Sequence, residues 1–147
     1  EEGVLTYTTE VLEEPLDVTG PVKAVLHASS SAVDTDWVVR ITDVHPDGTS
    51  MLVCDGILRA QFKDSFEKPV DLVPNEPAEF EVDLWATSHV FQKGHRLRVA
   101  VASSSFPRWG RNWQTGLNNA HESTGVIAQN RIYRDAMRPS HVILPLL

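Results

Sequence analysis

Hydrophobic and polar residues alternate with a period of two along much of the chain. In 79–85 (EFEVDLW), Phe80, Val82 and Leu84 fall on one face and Glu79, Glu81 and Asp83 on the other, the pattern of a strand buried on one side. The run 96–102 (RLRVAVA) repeats it with Leu97, Val99 and Val101. In 37–44 (WVVRITDV), Trp37, Val39 and Ile41 stand against Val38, Arg40 and Thr42, and 22–29 (VKAVLHAS) turns Val22, Ala24, Leu26 and Ala28 inward. Each segment is a predicted strand.

Turn chemistry separates them. HPDGTS (45–50) offers a proline with fixed φ, an aspartate that bonds its own backbone and a glycine that tolerates positive φ, so 37–44 and 50–60 are predicted to form a hairpin. FQKGHR (91–96) makes a second reversal, and Pro15, Pro21, Pro69, Pro74 and Pro77 are expected between strands, where a missing N–H does no damage. No window sustains a 3.6-residue apolar period over three turns, and no glycine-rich phosphate loop follows a strand. Helix is confined to short pieces, with 63–67 and 126–130 as the candidate places. Many short antiparallel strands without internal repeats predict an all-β fold, an antiparallel β-sandwich of jelly-roll type, with residues 1–147 as one domain.

One stretch breaks the pattern. From Ser103 to Asn130 no strand is convincing, yet the segment carries Phe106, Trp109, Trp113, Leu117, Val126 and Ile127, too much apolar surface to leave in water. It either folds back over an end of the sandwich or packs on a partner. Its opening, SSSFPRWGRNWQTG (103–116), combines Trp and Arg. An indole buries a large area at low entropy cost and a guanidinium offers five donors on a stackable plane, the pairing enriched at protein interfaces and equally suited to sugars or a cleft wall. Arg108, Trp109, Arg111, Asn112 and Trp113 are therefore the candidate interface or cleft-lining residues. The plainer alternative makes Trp109 and Trp113 the loop's own small core.

Charge narrows the partners. The net charge of −7 speaks against nucleic acid, which needs a basic footprint, but residues 1–83 hold 18 acids and 5 bases (net −13) while 84–147 hold 2 acids and 8 bases (net +6). No stretch approaches the roughly 18 apolar residues of a membrane span, and EEGVLTYTTE lacks the layout of a signal peptide, so no membrane association is expected. A start at Glu1 without Met suggests a piece of a longer polypeptide. The single Cys54 allows no intrachain disulfide; it reads as an inert thiol among apolar neighbours, and with it a reducing, cytoplasmic setting.

Catalytic chemistry finds little support. G-x-S-x-G is absent: GTSML (48–52) lacks the second glycine and lies in a turn, and a pairing of Ser103, Ser104 or Ser105 with His121 lacks an orienting third group. No catalytic residue is assigned. His27, His45, His89, His95, His121 and His141 are isolated in sequence and expected on exposed strand faces or turns; Asp34 and Asp36 fall short of a calcium site and read as Asx-type caps. No metal and no cofactor is expected. Arg59 and Arg96, on predicted strands, are expected to pair with acids such as Asp43, Asp55 or Asp83.

The motifs in order carry a family likeness. DTDWVVRITDVHPDG (34–48), DGILRAQF (55–62), DLWATSHVFQKGHRLRVAVASSSFPR (83–108), and Asn112 with Thr115 and Gly116 resemble the C-terminal non-catalytic domain of the X-Pro dipeptidyl-peptidase (peptidase S15), cocaine esterase and α-amino-acid ester hydrolase group. The resemblance runs from about residue 14 to the end of the chain. It implies a galactose-binding-like jelly roll that follows an α/β-hydrolase catalytic domain of the same polypeptide, packs on it and helps to wall its active-site cleft. The triad of that serine hydrolase would lie outside this chain. His45 stands where this group often has Tyr, and WGRNW (109–113) departs from its spacing. A free-standing carbohydrate-binding module, an enzyme complete in itself and a homo-oligomer remain the alternatives.

Overall fold

A computed structural model describes residues 3–147. Nine strands form two antiparallel sheets: β1 (Leu5–Thr8), β2 (Leu16–Ser30), β3 (Asp36–Val44), β4 (Ser50–Arg59), β5 (Ala78–Phe91), β6 (Arg96–Ala102), β7 (Asn130–Asp135), β8 (Arg138–Pro139) and β9 (His141–Ile143). One sheet runs β1-β6-β3-β4; the other runs β5-β2-β7-β8, with β9 also pairing β2. The all-β sandwich expected from the alternation is therefore present.

The predicted faces meet in the middle. Trp37, Val39, Ile41, Leu58, Leu97 and Val101 from the first sheet pack on Val22, Ala24, Leu26, Ala28, Phe80, Val82, Leu84 and Phe91 from the second. Trp37 and Phe80 join the layers, their ring centroids 5.5 Å apart and tilted by 49°. The 45–50 turn closes the β3–β4 hairpin as expected, with His45 N donating to Thr49 O (2.8 Å) and Gly48, at φ +88°, donating to His45 O (2.9 Å).

Several expectations need correction. The helical pieces are single 3-10 turns at Ala60–Phe62 and Asn119–His121, not at 63–67 or 126–130. Pro21 lies within β2, opposite Ala86, beside a bulge where the register jumps to Lys23 opposite Asp83. There the sheet can accommodate a residue without N–H. The bulge sets Leu84 and Trp85 against Val22; Leu84 turns into the core, and Trp85 takes φ +65° and stands 72% exposed. Three of the six histidines are isolated in sequence but not in space: His45, His89 and His95 converge on the buried Asp43. Arg59 pairs with Asp36 (3.2 Å) and not with the acids expected, because the β3–β4 register places Arg59 opposite Asp36. Arg96 reaches Thr9 O (3.0 Å) and Glu10 (4.0 Å) on the neighbouring edge segment, while Asp43 is taken by histidines and Asp55 by Arg108.

Candidate functional site

Three loops, 31–35, 60–77 and 103–129, gather where β3 begins and β6 ends. Residues 60–77 return across this end through Val70 N to Gln61 O (2.9 Å), Leu72 N to Val33 O (2.7 Å) and Asn75 N to Ser30 O (2.6 Å). The 103–129 segment follows, and Asn112 fastens it. Its side chain is buried, and its Nδ2 donates to Asp34 Oδ2 (2.9 Å) and Asp36 Oδ1 (2.8 Å), while its Oδ1 accepts from Gln114 N (2.7 Å). Two carboxylates can only accept and a backbone N–H can only donate, so the amide's orientation is fixed by its partners. Asp34 Oδ1 also accepts from Gln61 N (3.2 Å), and Gln61 Nε2 holds Gly116 O (3.1 Å).

Burial raises both the Asp34 and the Asp36 carboxyls above their ordinary range, and the donors from Asn112, with the Arg59 charge and for Asp34 the Gln61 N–H, act in the opposite direction. The Asx-cap reading of this pair is thus too local: the carboxylates hold a loop nearly eighty positions downstream.

On this anchor the segment presents a surface of alternating cations and rings. Arg108 donates to Asp55 Oδ1 (2.8 Å) and lays its guanidinium 4.8 Å from the Trp109 ring centroid. The Arg111 guanidinium lies between Phe106 (5.7 Å) and Trp113 (5.6 Å). Trp113 is held through its backbone, N to Asn119 Oδ1 (2.9 Å) and O from Val126 N (2.9 Å), and Gly125 leaves room for its ring: a Cβ there would sit 3.0 Å from Cε3. Between Trp109, Arg111, Trp113, Ile57, Arg59 and Glu122 lies an open groove of about 720 Å³. Of the five sequence candidates, Arg108, Trp109, Arg111 and Trp113 share this surface, while Asn112 faces inward. Phe106 (66% exposed) also lines this groove, and Leu117 and Ile127 (96%) are further exposed apolar side chains of the same segment. The strand pattern also left Trp85 unremarked; its exposed indole follows Leu84, whose backbone lies against Gly56, the neighbour of the Arg108 partner Asp55.

Ser103, Ser105 and Cys54 have structural roles. Ser105 is buried and accepts from Arg40; Ser103 Oγ accepts from Asn130 Nδ2 (2.6 Å). Burial, with the charge of Asp55 adding to it, pushes the Cys54 thiol up to about 11. Alkylation of Cys54 by iodoacetamide at pH 8 is expected to run on the order of a hundredfold slower than at an open cysteine. Reaction at the open-thiol rate in the folded protein would contradict that burial.

Comparisons place this architecture. Residues 1–143 match the model of the X-Pro dipeptidyl-peptidase C-terminal non-catalytic domain. The cocaine esterase of Rhodococcus sp. (strain MB1 Bresler) is 45% identical over 148 residues, covering 99% of this chain and 26% of that protein. An aminopeptidase from the marine sediment archaeon Thaumarchaeota archaeon superposes with a TM-score of 0.96 at 35% identity, over 100% of this chain and 26% of its own. An α-amino acid ester hydrolase gives 0.95 at 37% identity, over 99% and 26%. The chain thus spans about a quarter of the length of these relatives. Among the described residues no helix is long and apolar enough to cross a membrane.

Proposed function

The chain belongs to the X-Pro dipeptidyl-peptidase C-terminal non-catalytic domain family, and from that premise we propose that it is the accessory β-sandwich of a serine hydrolase of the dipeptidyl-peptidase or acyl-esterase class. It packs on an α/β-hydrolase catalytic domain of the same polypeptide in the cytoplasm, steadies that domain and helps to wall its cleft. The observation that carries this reading is the surface on which the exposed Arg108 and Arg111 lie with the half-buried Trp109 and Trp113, mounted on the buried Asn112 anchor. Because Asn112 and Gln61 already fasten the segment to the sandwich, less ordering is left to docking, which lowers the entropy lost. The net positive segment suits an acidic neighbour, and aromatic and arginine side chains of this kind dominate interface energetics.

A sugar-binding module would need open ring faces. Here guanidinium groups already lie over Trp109 and Trp113, so less indole is left for a pyranose.

In the polypeptide that carries both domains, Trp109→Ala with Trp113→Ala is expected to remove about 1–2 kcal/mol of interdomain contact per indole. Calorimetry would then show the sandwich melting as a separate, earlier transition, together with lower kcat/KM for ester or dipeptide substrate. A double variant that melts in the parental transition and turns over at the parental rate contradicts this docking.

A further inference from the structure

The opposite end of the sandwich holds a second constellation that docking does not use. Asp43, at the end of β3, is buried, its side chain 3% exposed. His95, in the β5–β6 turn, brings Nδ1 to 2.9 Å from Asp43 Oδ1; His89, on β5, brings Nε2 to 3.0 Å from Oδ2; His45, opening the β3–β4 turn, brings Nε2 to 3.9 Å from Oδ2. The His45 and His95 rings face one another with centroids 4.4 Å apart. Burial alone would raise the Asp43 carboxyl, but hydrogen bonds from His89 and His95, with their charge, outweigh it and hold the group below the usual carboxylate range.

Two hydrogen bonds to one carboxylate need only two imidazoles, and His89 and His95 already supply them. The third imidazole gives the cluster a different shape. One ligand atom each from Asp43, His45 and His95 lies within 4.8 Å of the other two. Around a zinc-sized ion with bonds of about 2.0–2.1 Å, tetrahedral ligand atoms stand about 3.3 Å apart. The Asp43–His95 pair is already near that separation, and the half-exposed His45 ring has room to close the rest.

We propose that Asp43, His45 and His95 form a binding site for a divalent transition-metal ion of the zinc class, with Asp43 Oδ1, a nitrogen of His45 and Nδ1 of His95 as ligands. Oδ2 stays bonded to His89, which orients the carboxylate from behind, as outer partners of metal ligands do. Two imidazoles and one carboxylate select Zn²⁺, Co²⁺ or Ni²⁺ over Ca²⁺ and Mg²⁺, which take oxygen. Three protein ligands leave a further position to water. Both turns are ordered by backbone hydrogen bonds, His45 N to Thr49 O (2.8 Å) and His95 N to Gln92 O (3.0 Å), so the ligands are presented on fixed backbone. Binding ties the two turns together and supplies a local clamp, with no role in bond-breaking chemistry.

The test is titration of the full chain, stripped of metal, with Zn²⁺ by calorimetry and with Co²⁺ by visible absorption. One ion per chain is expected, with a ligand-field spectrum of four-coordinate type and a melting temperature that rises with Zn²⁺ concentration. His45→Ala and His95→Ala are each expected to weaken binding at least about tenfold, and His89→Gln by about tenfold. His141→Asn, distant in the chain and bonded to Pro139 O, leaves it unchanged. Asp43→Asn removes a buried carboxylate and risks the fold; the half-exposed His45 carries the test without that risk. Wild-type chain that takes up no ion at millimolar Zn²⁺, or binding that survives His45→Ala or is lost in His141→Asn, overturns the proposal. Because this end lies away from Trp109 and Trp113, the docking variants leave the metal titration unchanged.

Discussion

Asn112→Asp is expected to be the most damaging single-atom change in this fold. The amide nitrogen that now donates to Asp34 and Asp36 becomes a carboxylate oxygen 2.8–2.9 Å from both, in a pocket where Arg59 is the nearby cation, 3.2 Å from Asp36 and 3.9 Å from Asp34. Three buried carboxylates facing one guanidinium lose two charge-assisted hydrogen bonds and gain repulsion, a cost of about 4–5 kcal/mol at neutral pH. Asn112→Ala removes the donors without adding charge, and about 3 kcal/mol is expected.

The pH dependence separates the two causes. The new carboxyl, held among like charges, has a folded pKa raised above its unfolded value. Its protonated form, which restores one O–H donor, is favoured by folding below the unfolded pKa, and that benefit disappears as pH rises through the folded one. The Asn112→Asp deficit should therefore shrink on acidification towards pH 4, relative to wild type measured alongside. Denaturant unfolding at a series of pH values reads this directly. Wild-type stability of Asn112→Asp at pH 7 would show that the loop is not anchored here.

Gly56→Ala is the second large effect, and its cause is backbone geometry. Gly56 lies on β4 opposite Val39, where the edge of the first sheet touches β5 of the second. A Cβ at this position would stand 1.9 Å from Asp83 O, 2.8 Å from the Asp83 carbonyl carbon and 3.2 Å from Leu84 Cα. These are main-chain atoms already fixed by the β2–β5 ladder, where Asp83 pairs with Lys23, so relief requires the sheets to part along this edge. A loss of about 3 kcal/mol is expected, a fall of roughly 6–12 °C in melting temperature for a domain of this size. Gly110→Ala, where a Cβ meets nothing within 4 Å, serves as the control and should melt with wild type.

How much of this was legible in the sequence follows from where each interaction is encoded. The faces of 22–29, 37–44, 79–85 and 96–102 are written locally, since alternation needs only neighbours two positions apart. Strands β7 to β9 left no such trace. NRIYRD offers Ile132 and Tyr133 among charged residues, and RP and HVI are too short to show a period; β7 and β9 become strands because β2 presents an edge from Lys23 to Ser30, and β8 because it pairs back on β7. The Arg and Trp content of 103–116 is plain in the sequence, and the structure shows which of these cations lie over which rings. The inward turn of Asn112 was invisible, because its partners lie 76 and 78 positions upstream. The Asp43 cluster was missed for the same reason: His89 and His95 are 46 and 52 positions away, so six isolated histidines concealed three that meet. Gly56 reads as an ordinary glycine in DGILR until β5 is seen against it.

The central claim is that residues 103–129 form a docking surface for a catalytic domain of the same polypeptide. Hydrogen exchange of that segment, compared between the intact polypeptide and the separate 1–147 fragment, tests it most directly. Strong added protection at 106–113 in the intact protein, with equal exchange around Asp43 at the far end, is the predicted result. Identical exchange of 106–113 in both forms would contradict it.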